Sequence, residues 1–356
     1  MKNKKRHFSS RTIRWIYAVS FILVLFVSAG IALFFTYSVK ITTEENTGKY
    51  DRYYALISGD RKLDFWQSVY DGAYETGKEN GVFVELLGDN LNDTFTKEEL
   101  MEIAISSGVD GIIVPGDESE EMTDLIERAS MQNIPVVTVY SDAPSSTRCC
   151  YVGVGSYNLG REYGKQIVRI AEDRENNDTI SSTIANKEIN VVTLVNSYED
   201  NSDQNIVWSG IQNAVETEQT GITKINLSMT HVDERNPFTV EESIHDLFRS
   251  DSIPDVIVCL NETNTESVYQ AVVDSNKVGK VTILGYYDSE TILKGIDRSV
   301  IYASMSVDTY QMGRYCVEAL DEYNETGNTN QYMPADITLI DGTNVNEYME
   351  SKGENE

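Results

Sequence analysis

The residue types that carry most enzymatic chemistry are few in this sequence, and none falls in a catalytic motif. The three histidines are His7, His231 and His245, and the last two lie in a polar loop and in a helical pattern. No GxSxG nucleophile motif and no P-loop occurs. Residues 153–160 follow a strand pattern, but their spacing is GxGxxxxG rather than the GxGxxG of a dinucleotide-binding turn. The sequence therefore predicts a protein that is not an enzyme and needs no cofactor.

The spacing of cysteines and carboxylates also gives no metal site. The four cysteines, Cys149, Cys150, Cys259 and Cys316, match no zinc pattern. The last two lie in apolar runs and are expected in the core, whereas a bridge between the adjacent first two would be strained. Residues 198–205, YEDNSDQN, lack the ligand alternation and the glycine of a calcium loop. We therefore predict no metal, and the cysteine spacing assigns no disulfide.

Residues suited to binding a small molecule are more frequent, and they cluster directly after predicted strands. In open parallel sheets, ligands bind beyond the carboxyl ends of the strands. Aromatic faces pack against the apolar faces of a ring, whereas Asp and Asn side chains hydrogen-bond hydroxyl groups. The candidate ligand-binding residues are Phe65, Trp66, Asp89, Tyr140, Asp142, Asn261 and Tyr287.

This combination fits a small polyhydroxylated ring, although turn formation is an alternative explanation for part of it. Strand ends favour Asp and Asn because these residues form turns, and for Asp89, Asp117 and Asp288 taken singly that explanation holds at least as well. Phe65 and Trp66 argue more strongly for a site, since large apolar side chains on a polar loop need something to cover them. The aromatic pair is therefore the stronger candidate.

The elements that would position these residues alternate along the chain from residue 52 onward. Ten apolar, strand-like runs are separated by helical patterns at residues 64–80, 97–107, 118–132, 157–174, 203–217, 239–250, 263–276 and 309–323. Strands that are near-continuous in Val, Ile and Leu are typical of parallel sheets covered on both faces. Ten such strands favour two doubly wound α/β units, with a division near residue 155. Thr96 and Glu99 form a capping box at one predicted helix start.

The N-terminal segment has the composition of a membrane anchor. Residues 15–39 contain no charged residue, and about 20 apolar residues suffice for a helix to cross a bilayer. Residues 1–14 carry six Lys and Arg and no acid, which predicts a cytoplasmic tail and an exterior C-terminal part. A cleaved signal peptide is the alternative, but its apolar core would span about 7–15 residues. We favour an uncleaved, single-pass anchor followed by a polar stalk at residues 40–51.

The exterior part is strongly acidic. Residues 1–40 hold seven of the 29 basic residues and no acid, so the remainder carries 22 basic and 57 acidic residues. Such a surface repels phosphate backbones, which excludes nucleic acid as an expected partner. A solvated acidic exterior accounts for most of this charge.

Several segments together resemble the type I periplasmic sugar-binding proteins, the family that includes ribose-binding proteins and LacI-type effector domains. The resemblance covers residues 52–342 and is carried by segments in family order: DFWQSVYDGAYETGKENG, GVDGIIVPGD, IPVVTVYSDAPSSTRCCYVGVGSYNLGREYG, DVIVCLNETNTESVYQAV, VTILGYYDSETILKGI and IYASMSVDTYQMG. It implies two Rossmann-like lobes with parallel sheets, joined by three crossovers, with the ligand clamped between them. Lobe 1 would comprise residues 52–155 and 308–332, and lobe 2 residues 156–307 and 333–342, with a disordered tail at 343–356.

The resemblance also implies roles for individual residues. Phe65 and Trp66 match the aromatic pair that stacks on the sugar. Asn261 matches the asparagine that hydrogen-bonds ring hydroxyls after the DVIVCL-type strand, and Asp142 lies in a turn where a polar contact is expected.

Four positions depart from the family pattern. Tyr140 and Tyr287 stand where many members have Asp, Val207 where an Arg is usual, and Val307 where a Gln often reaches the sugar. A buried site must offer partners to the polar groups of its ligand. Otherwise the ligand and the site both lose their hydration without replacement. The departures predict a ligand less polar than ribose, or a site that binds sugar weakly.

The sequence as a whole predicts an extracytoplasmic solute-binding protein that closes around a sugar or a sugar-like molecule. Its expected partner is an ABC permease or a membrane sensor kinase. The alternatives are a regulator similar to LacI but without a DNA-binding domain, a sensor of a non-sugar ligand, and an enzyme on the same scaffold. The absence of a helix-turn-helix at residues 1–40 disfavours a DNA-binding regulator, and the absence of a nucleophile–base pair disfavours the enzyme.

Overall fold

Runs of aliphatic and β-branched residues form the strands of two six-stranded sheets. We describe the protein from a computed structural model, in which residues 50–59, 62–89, 95–177, 188–197, 202–249 and 253–353 are described. The first sheet is entirely parallel. Its strands, in spatial order, are β11 (Tyr332–Pro334), β5 (Cys150–Gly153), β4 (Val136–Val139), β3 (Gly111–Val114), β1 (Arg52–Leu56) and β2 (Val82–Leu86).

The second sheet repeats this arrangement except at one edge. Its strands, in spatial order, are β12 (Ile337–Asp341), β10 (Ala303–Val307), β9 (Thr282–Tyr286), β8 (Val256–Val258), β6 (Glu188–Asn196) and β7 (Lys224–Val232). Only β12 runs antiparallel to its neighbour β10 among the described strands. The predicted α/β architecture with parallel-rich sheets is confirmed.

Helices connect successive strands and cover the sheets. Those of the first lobe, the first sheet with its helices, are α1 (Asp64–Glu79), α2 (Lys97–Ser107), α3 (Glu120–Met131) and α9 (Thr309–Thr326). Those of the second lobe are α4 (Ser156–Asn177), α5 (Ser202–Glu218), α6 (Pro237–Arg249), α7 (Glu262–Asp274), α8 (Glu290–Asp297) and α10 (Val345–Gly353). The capping box predicted at Thr96 and Glu99 begins α2, with both reciprocal hydrogen bonds present.

The chain passes between the sheets three times, after β5, after β10 and after β11. The third passage falls between Pro334 and Ile337, just after the predicted start of the last lobe 2 segment at residue 333. That boundary lies inside β11, whose register pairs Met333 with Val152 of the first sheet. Three residues are too short a strand to stand out by periodicity.

The segment predicted as a disordered tail, residues 343–356, contains the helix α10 (Val345–Gly353). Its polar composition conceals specific contacts with the second lobe. Tyr348 donates its hydroxyl to Asp288 Oδ2 over 2.5 Å and lies 3.1 Å from Ser306 Oγ, and Lys352 Nζ donates to the Asp288 carbonyl. Polar anchoring of this kind leaves no apolar period in the sequence.

The predicted cytoplasmic tail, anchor and nearly all of the stalk lie outside the described residues. Within the ranges that the structure describes, no helix combines the length and the hydropathy that a bilayer crossing requires. The chain from Arg52 onward forms one compact unit.

Each lobe contains a pair of helices that cross on glycine. In the first lobe α1 packs on α9, and an added Cβ at Gly72 or Gly313 would stand 2.1 or 2.0 Å from a backbone oxygen of the other helix. In the second lobe α4 packs on α5, with Gly160 and Gly210 in the same relation. Both α4 and α9 begin directly after the chain has passed from one sheet to the other. The close crossings therefore fix the position of each of these helices against its neighbour, α5 or α1.

Candidate ligand-binding cleft

A cavity of about 820 Å3 opens where the carboxyl ends of both sheets face each other. The first lobe lines it with residues that follow β1, β2, β3 and β4, together with the start of α1 and α2. The second lobe lines it with residues that end or follow β6, β7, β8 and β9. This is the edge at which parallel α/β sheets bind ligands. The polar lining includes Ser58, Lys62, Lys97, Ser141, Asn196, Glu234, Arg235, Asn236, Asn261, Glu262 and Thr263.

One wall of the cavity is aromatic and is built from both lobes. Phe65 and Trp66 begin α1, and their ring centroids lie 5.3 Å apart in an edge-to-face arrangement. The Phe65 ring is 5.1 Å from Tyr140 in the same lobe and 5.4 Å from Tyr287 in the other. Tyr286 completes the cluster at 6.4 Å from Phe65. These separations are typical of favourable aromatic pairs, so the cluster holds its rings in fixed positions.

Two of these tyrosines have backbone conformations that are rare outside glycine. Tyr140 has φ of 69° and follows β4, and Tyr287 has φ of 78° and follows β9. Their amides are held by the neighbouring strands, through hydrogen bonds to Val152 and Met305 carbonyls of 3.0 and 2.9 Å. Left-handed residues of this kind cost about 1–3 kcal/mol and cluster at functional sites. The two strand ends thus place tyrosines at corresponding positions in the two lobes.

A network of amides and a carboxylate forms the polar side of the second lobe. Asn261 caps α7 by accepting from the Asn264 amide over 2.7 Å, and it donates its Nδ2 to Glu234 over 2.9 Å. Asn264 donates its own Nδ2 to the same carboxylate oxygen. Asn261 is therefore held in a fixed orientation at the cavity surface.

Glu262 is a buried carboxyl on the cavity wall and joins the two lobes. Only 5% of the residue is exposed, and Oε2 accepts from the Phe65 amide over 3.3 Å. Burial raises the pKa of Glu262 to about 7, the hydrogen bond from Phe65 opposes this, and the nearby charges of Glu266, Asp64 and Asp288 raise it further.

Two further features of the first lobe shape the cleft. The Ser58 hydroxyl, on a residue 7% exposed, lines the cavity and has no hydrogen-bond partner in the described chain. Beside it, a Cβ at Gly59 would stand 2.9 Å from the Trp66 indole nitrogen, so only glycine admits the indole there without a shift. The buried Ser58 hydroxyl costs free energy unless a ligand or a water forms a hydrogen bond with it.

Comparison with protein families identifies the architecture. Residues 54–328 match the family model for a periplasmic binding protein domain. This chain belongs to the periplasmic binding protein family. A comparison with curated proteins gave no match.

Solved structures share the fold of this binding protein across both lobes. GanP, described as a glucose-galactose binding protein from Geobacillus stearothermophilus, matches with a TM-score of 0.68 at 22% identity, covering 82% of this chain and 98% of GanP. An ABC transporter solute-binding protein from Burkholderia graminis, in complex with D-arabinose, matches at 0.69 and 19%, with 84% and 98% covered. A XylFII-LytSN complex matches at 0.66 and 23%, with 82% and 98% covered.

The cleft of this binding protein contains four of the seven predicted site residues. Phe65, Trp66, Tyr140 and Asn261 all line the cavity. Tyr287 does not line the cavity. It is buried, and its ring contacts the ring of Phe65, which does line the cavity. Their ligand roles stay predictions.

Asp89 and Asp142 are not brought to the cavity. Asp89 follows β2 as an exposed residue, and the cavity is lined at that point by Gly88. Asp142 is held by Arg148, which donates Nη2 to Oδ2 over 2.6 Å and Nε to Oδ1, and it also accepts from Thr138. These carboxylates follow strands, but the first faces solvent and the second is an ion-pair partner.

The family departures at Val207 and Val307 are explained by packing. Val207 is buried in α5, where its carbonyl lies against Gly160, and Val307 is buried at the end of β10. Neither residue lines the cavity. Their apolar side chains therefore leave no polar group of a ligand in the cleft without a partner.

The structure also places Glu234 and Glu262 on the cavity wall, and neither is among the candidate residues chosen from the sequence. Glu234 lies in the polar loop after β7, and Glu262 directly follows the predicted Asn261. In a chain with 57 acidic residues no single carboxylate stands out by type. Only the position after a strand marks them, and that position is shared with turn residues.

Replacing Asp142 by alanine is expected to lower the stability of this binding protein without acting directly on the ligand. The change leaves the Arg148 guanidinium, whose side chain is 16% exposed, without its carboxylate. Breaking such a pair from one side costs about 2 kcal/mol or more. Urea unfolding measures the loss, and the double variant D142A/R148M, which removes both charges, is expected to recover part of it. A weaker ligand affinity at unchanged stability would contradict this structural role.

Stability is expected to fall as pH rises through the titration of Glu262. Its folded pKa of about 7 lies above the ordinary value of 4.5, so the folded state holds this proton more tightly than the unfolded state between those pH values. The contribution is fully present below pH 4.5 and lost as pH rises past 7. The groups that face Glu262 are Asp64, Glu266 and Asp288.

Thermal unfolding between pH 4.5 and 8 measures this dependence against Glu262→Gln. The wild type is expected to lose roughly 2–4 °C in Tm for each kcal/mol that is lost. The glutamine variant is expected to show a flatter profile, because its side chain does not titrate. Parallel profiles for the two proteins would show that Glu262 titrates in its ordinary range.

Proposed function

We propose that this protein is an extracytoplasmic binding protein that closes its two lobes around a monosaccharide. The observation that carries the proposal is the cavity at the facing carboxyl ends of the two sheets, which is lined by aromatic rings from both lobes and by a fixed amide, Asn261. An aromatic face and oriented hydrogen-bonding groups together complement the two kinds of surface on a sugar ring. Similar structures are described as binding glucose and galactose, D-arabinose and D-fucose.

The aromatic content of the wall bears on which sugars fit. Tyr140 stands where the family pattern often has a carboxylate, and it brings an aromatic ring and a hydroxyl to that point instead. The part of the ligand beside Tyr140 is expected to be less polar than a group that meets a carboxylate, because unmatched polar groups lose their hydration on both sides. Two carboxyls, Glu234 and Glu262, line the cavity elsewhere, so this expectation concerns one part of the ring and not the whole ligand.

Closure of the lobes is the proposed mechanism of signalling to a partner. The hydrogen bond from Phe65 to Glu262 and the contact of Phe65 with Tyr287 exist only when the lobes meet. A ligand between the lobes stabilises the closed form by contacting both. The closed form would dock on an ABC permease or on a membrane sensor kinase. The XylFII-LytSN complex is a precedent within this fold for binding a protein partner.

The proposed location is the outer face of the cell membrane, with residues 15–39 as an uncleaved anchor. The support is the uncharged 25-residue segment and the basic residues before it. A retained anchor keeps the binding lobes beside a membrane partner, which favours sensing over capture at a distance. Cell fractionation checks this: the intact chain is expected in the membrane fraction, and recovery of a shortened, soluble chain would contradict the anchor.

A thermal unfolding panel tests the proposed ligand class. The full-length protein is mixed with pentoses, hexoses, deoxy sugars, sugar phosphates and nucleosides, in a detergent without a sugar headgroup. A ligand at about 100 times its Kd adds about 2.7 kcal/mol to the free energy of unfolding. One or a few monosaccharides are expected to raise the Tm. A well-folded protein that responds to no sugar would overturn the proposal.

A further inference from the structure

Carboxyl groups from both lobes gather at the aromatic end of the cleft. Glu262 lies on the wall beside Phe65, and the charges that act most strongly on it belong to Asp64, Glu266 and Asp288. Asp64 is the first residue of α1 in the first lobe, whereas the other three carboxyls belong to the second lobe. Closing the lobes therefore brings like charges together, and a positive group between them would relieve the repulsion.

Three basic residues of the described chain line the cavity, and the structure gives two of them ion-pair partners other than Glu262; the third is Lys62. Lys97 is engaged by Asp117, and Arg235 holds Asp233 through Nε and Nη2, which lowers the pKa of Asp233 to about 2. Lys352 compensates Asp288 from outside, over 3.3 Å. In the part of the chain that the structure describes, no lysine or arginine forms an ion pair with Glu262.

The rings beside Glu262 are suited to a cation. Phe65, Trp66, Tyr140 and Tyr286 line the same cavity as the carboxyl. The faces of aromatic rings attract ammonium groups, most strongly when the site is desolvated. The Ser58 hydroxyl, buried and without a partner, offers a neutral contact on the first lobe. A ring that carries an ammonium group would thus find aromatic faces, a hydroxyl and one uncompensated carboxyl in a single cavity.

We propose that the ligand of this cleft is an amino sugar whose ammonium group pairs with Glu262. This inference rests on the proposed monosaccharide-binding function and names the class of monosaccharide. A neutral sugar can also hydrogen-bond Glu262, but it brings no positive charge to the carboxyl. An ammonium group forms a charge-assisted hydrogen bond and neutralises one charge of the cluster. The preference should therefore depend on the charge at one ring position rather than on the sugar as a whole.

Two matched series separate charge from shape. Titration calorimetry at pH 7 on the full-length protein compares glucose, glucosamine and N-acetylglucosamine, and then galactose, galactosamine and N-acetylgalactosamine. In each series the ring is constant, and the substituent is a hydroxyl, an ammonium or a neutral amide. In at least one series the ammonium sugar is expected to bind tenfold or more tightly than both neutral members.

The variant Glu262→Gln assigns the preference to its residue. It is expected to bring the ammonium sugar within about threefold of the neutral sugar. Glu121→Gln is the matched control, since it makes the same change at an exposed position of α3 and should keep the wild-type ratio. The wild-type comparison stands by itself should Glu262→Gln fold poorly.

Each outcome is decisive. A neutral sugar that binds as tightly as its amino counterpart in both series overturns the amino-sugar assignment and leaves the proposed function standing. A tenfold preference that survives in Glu262→Gln also overturns it, because the charge partner would lie elsewhere. Binding of no member of either series, and of no other sugar in the thermal panel, overturns the assignment together with the proposed function.

Discussion

Replacing Trp66 by alanine is expected to weaken sugar binding about 30-fold or more. Its indole lies on the cavity wall, only 6% of the residue is exposed, and it contacts both Phe65 and Tyr140. The change removes a face on which a sugar ring can pack and loosens the rings beside it. Loss of one buried aromatic anchor typically costs 2 kcal/mol or more, and 1.4 kcal/mol is a factor of ten in Kd. Calorimetric titration with the sugar that stabilises the wild type measures the change.

The chain offers matched variants for this prediction. Trp208, in α5, lies outside the cavity lining, so Trp208→Ala removes the same side chain elsewhere and should keep the wild-type affinity within about twofold. Trp66→Phe keeps an aromatic face and should lose less affinity than Trp66→Ala. Unfolding curves without sugar separate a loss of affinity from a loss of fold. Equal sugar affinities for the wild type and Trp66→Ala would show that the aromatic wall is not part of the binding site.

The second large effect concerns stability. Replacing Gly313 by alanine is expected to cost about 3 kcal/mol or more, because the new Cβ would stand 2.0 Å from the Val69 carbonyl oxygen and 2.6 Å from the Ala73 amide nitrogen. Both neighbours are backbone atoms of α1, so no side chain can turn away and the helices must separate. The cost therefore exceeds that of a glycine-to-alanine change inside an open helix, where alanine is favoured.

Urea unfolding measures this cost, with Gly342→Ala as the control. Gly342 lies between β12 and α10, and an added Cβ meets no atom within 4 Å. The control should therefore stay within about 0.5 kcal/mol of wild type. In the second lobe, Gly160→Ala should repeat the large effect, since its Cβ would stand 2.0 Å from the Val207 carbonyl oxygen. A Gly313→Ala protein as stable as the control would mean that α1 and α9 are not held this closely.

The regular helices and strands could be predicted because the order of apolar and polar residues along each of them follows directly from which of its faces are buried. Val136–Val139 is buried on both faces and reads as a continuous apolar run, as a parallel strand between helices must. The α2 start was predictable to the residue, since Thr96 and Glu99 satisfy each other's backbone groups through local contacts alone. Short or polar elements escaped prediction: β11 has three residues, and α10 is held by Tyr348 and Lys352 rather than by an apolar face.

Site residues could be predicted where the type of a residue is unusual for its position between a strand and a helix. Phe65 and Trp66 are large apolar residues at a polar junction, and the structure places both on the cavity wall. Carboxylates gave no such contrast, because Asp and Asn serve turns and ion pairs equally well. Asp142 shows this, since it lies three residues after the end of β4 and its carboxylate is engaged by Arg148. Glu262 shows the converse, because its burial depends on the meeting of two lobes and has no local pattern.

Two tyrosines illustrate a further limit of the sequence. Tyr140 and Tyr287 were predicted as site residues that replace family carboxylates, and both have left-handed backbone conformations in the structure. Tyrosine has no local preference for this conformation, so neighbouring strands and packed rings must impose it. Such a constraint arises from tertiary contacts and leaves no trace in a single sequence.

The emission of Trp66 gives the most direct test of the central claim, that the cleft between the lobes binds a sugar. In a W15F/W208F variant, Trp66 is the only tryptophan of the chain. The sugar that raises the Tm of the full-length protein is titrated into this variant while its fluorescence is recorded. The account predicts a saturable change in emission with the same Kd as calorimetry. A sugar that binds by calorimetry and leaves the emission of Trp66 unchanged would place the binding site elsewhere and contradict the account.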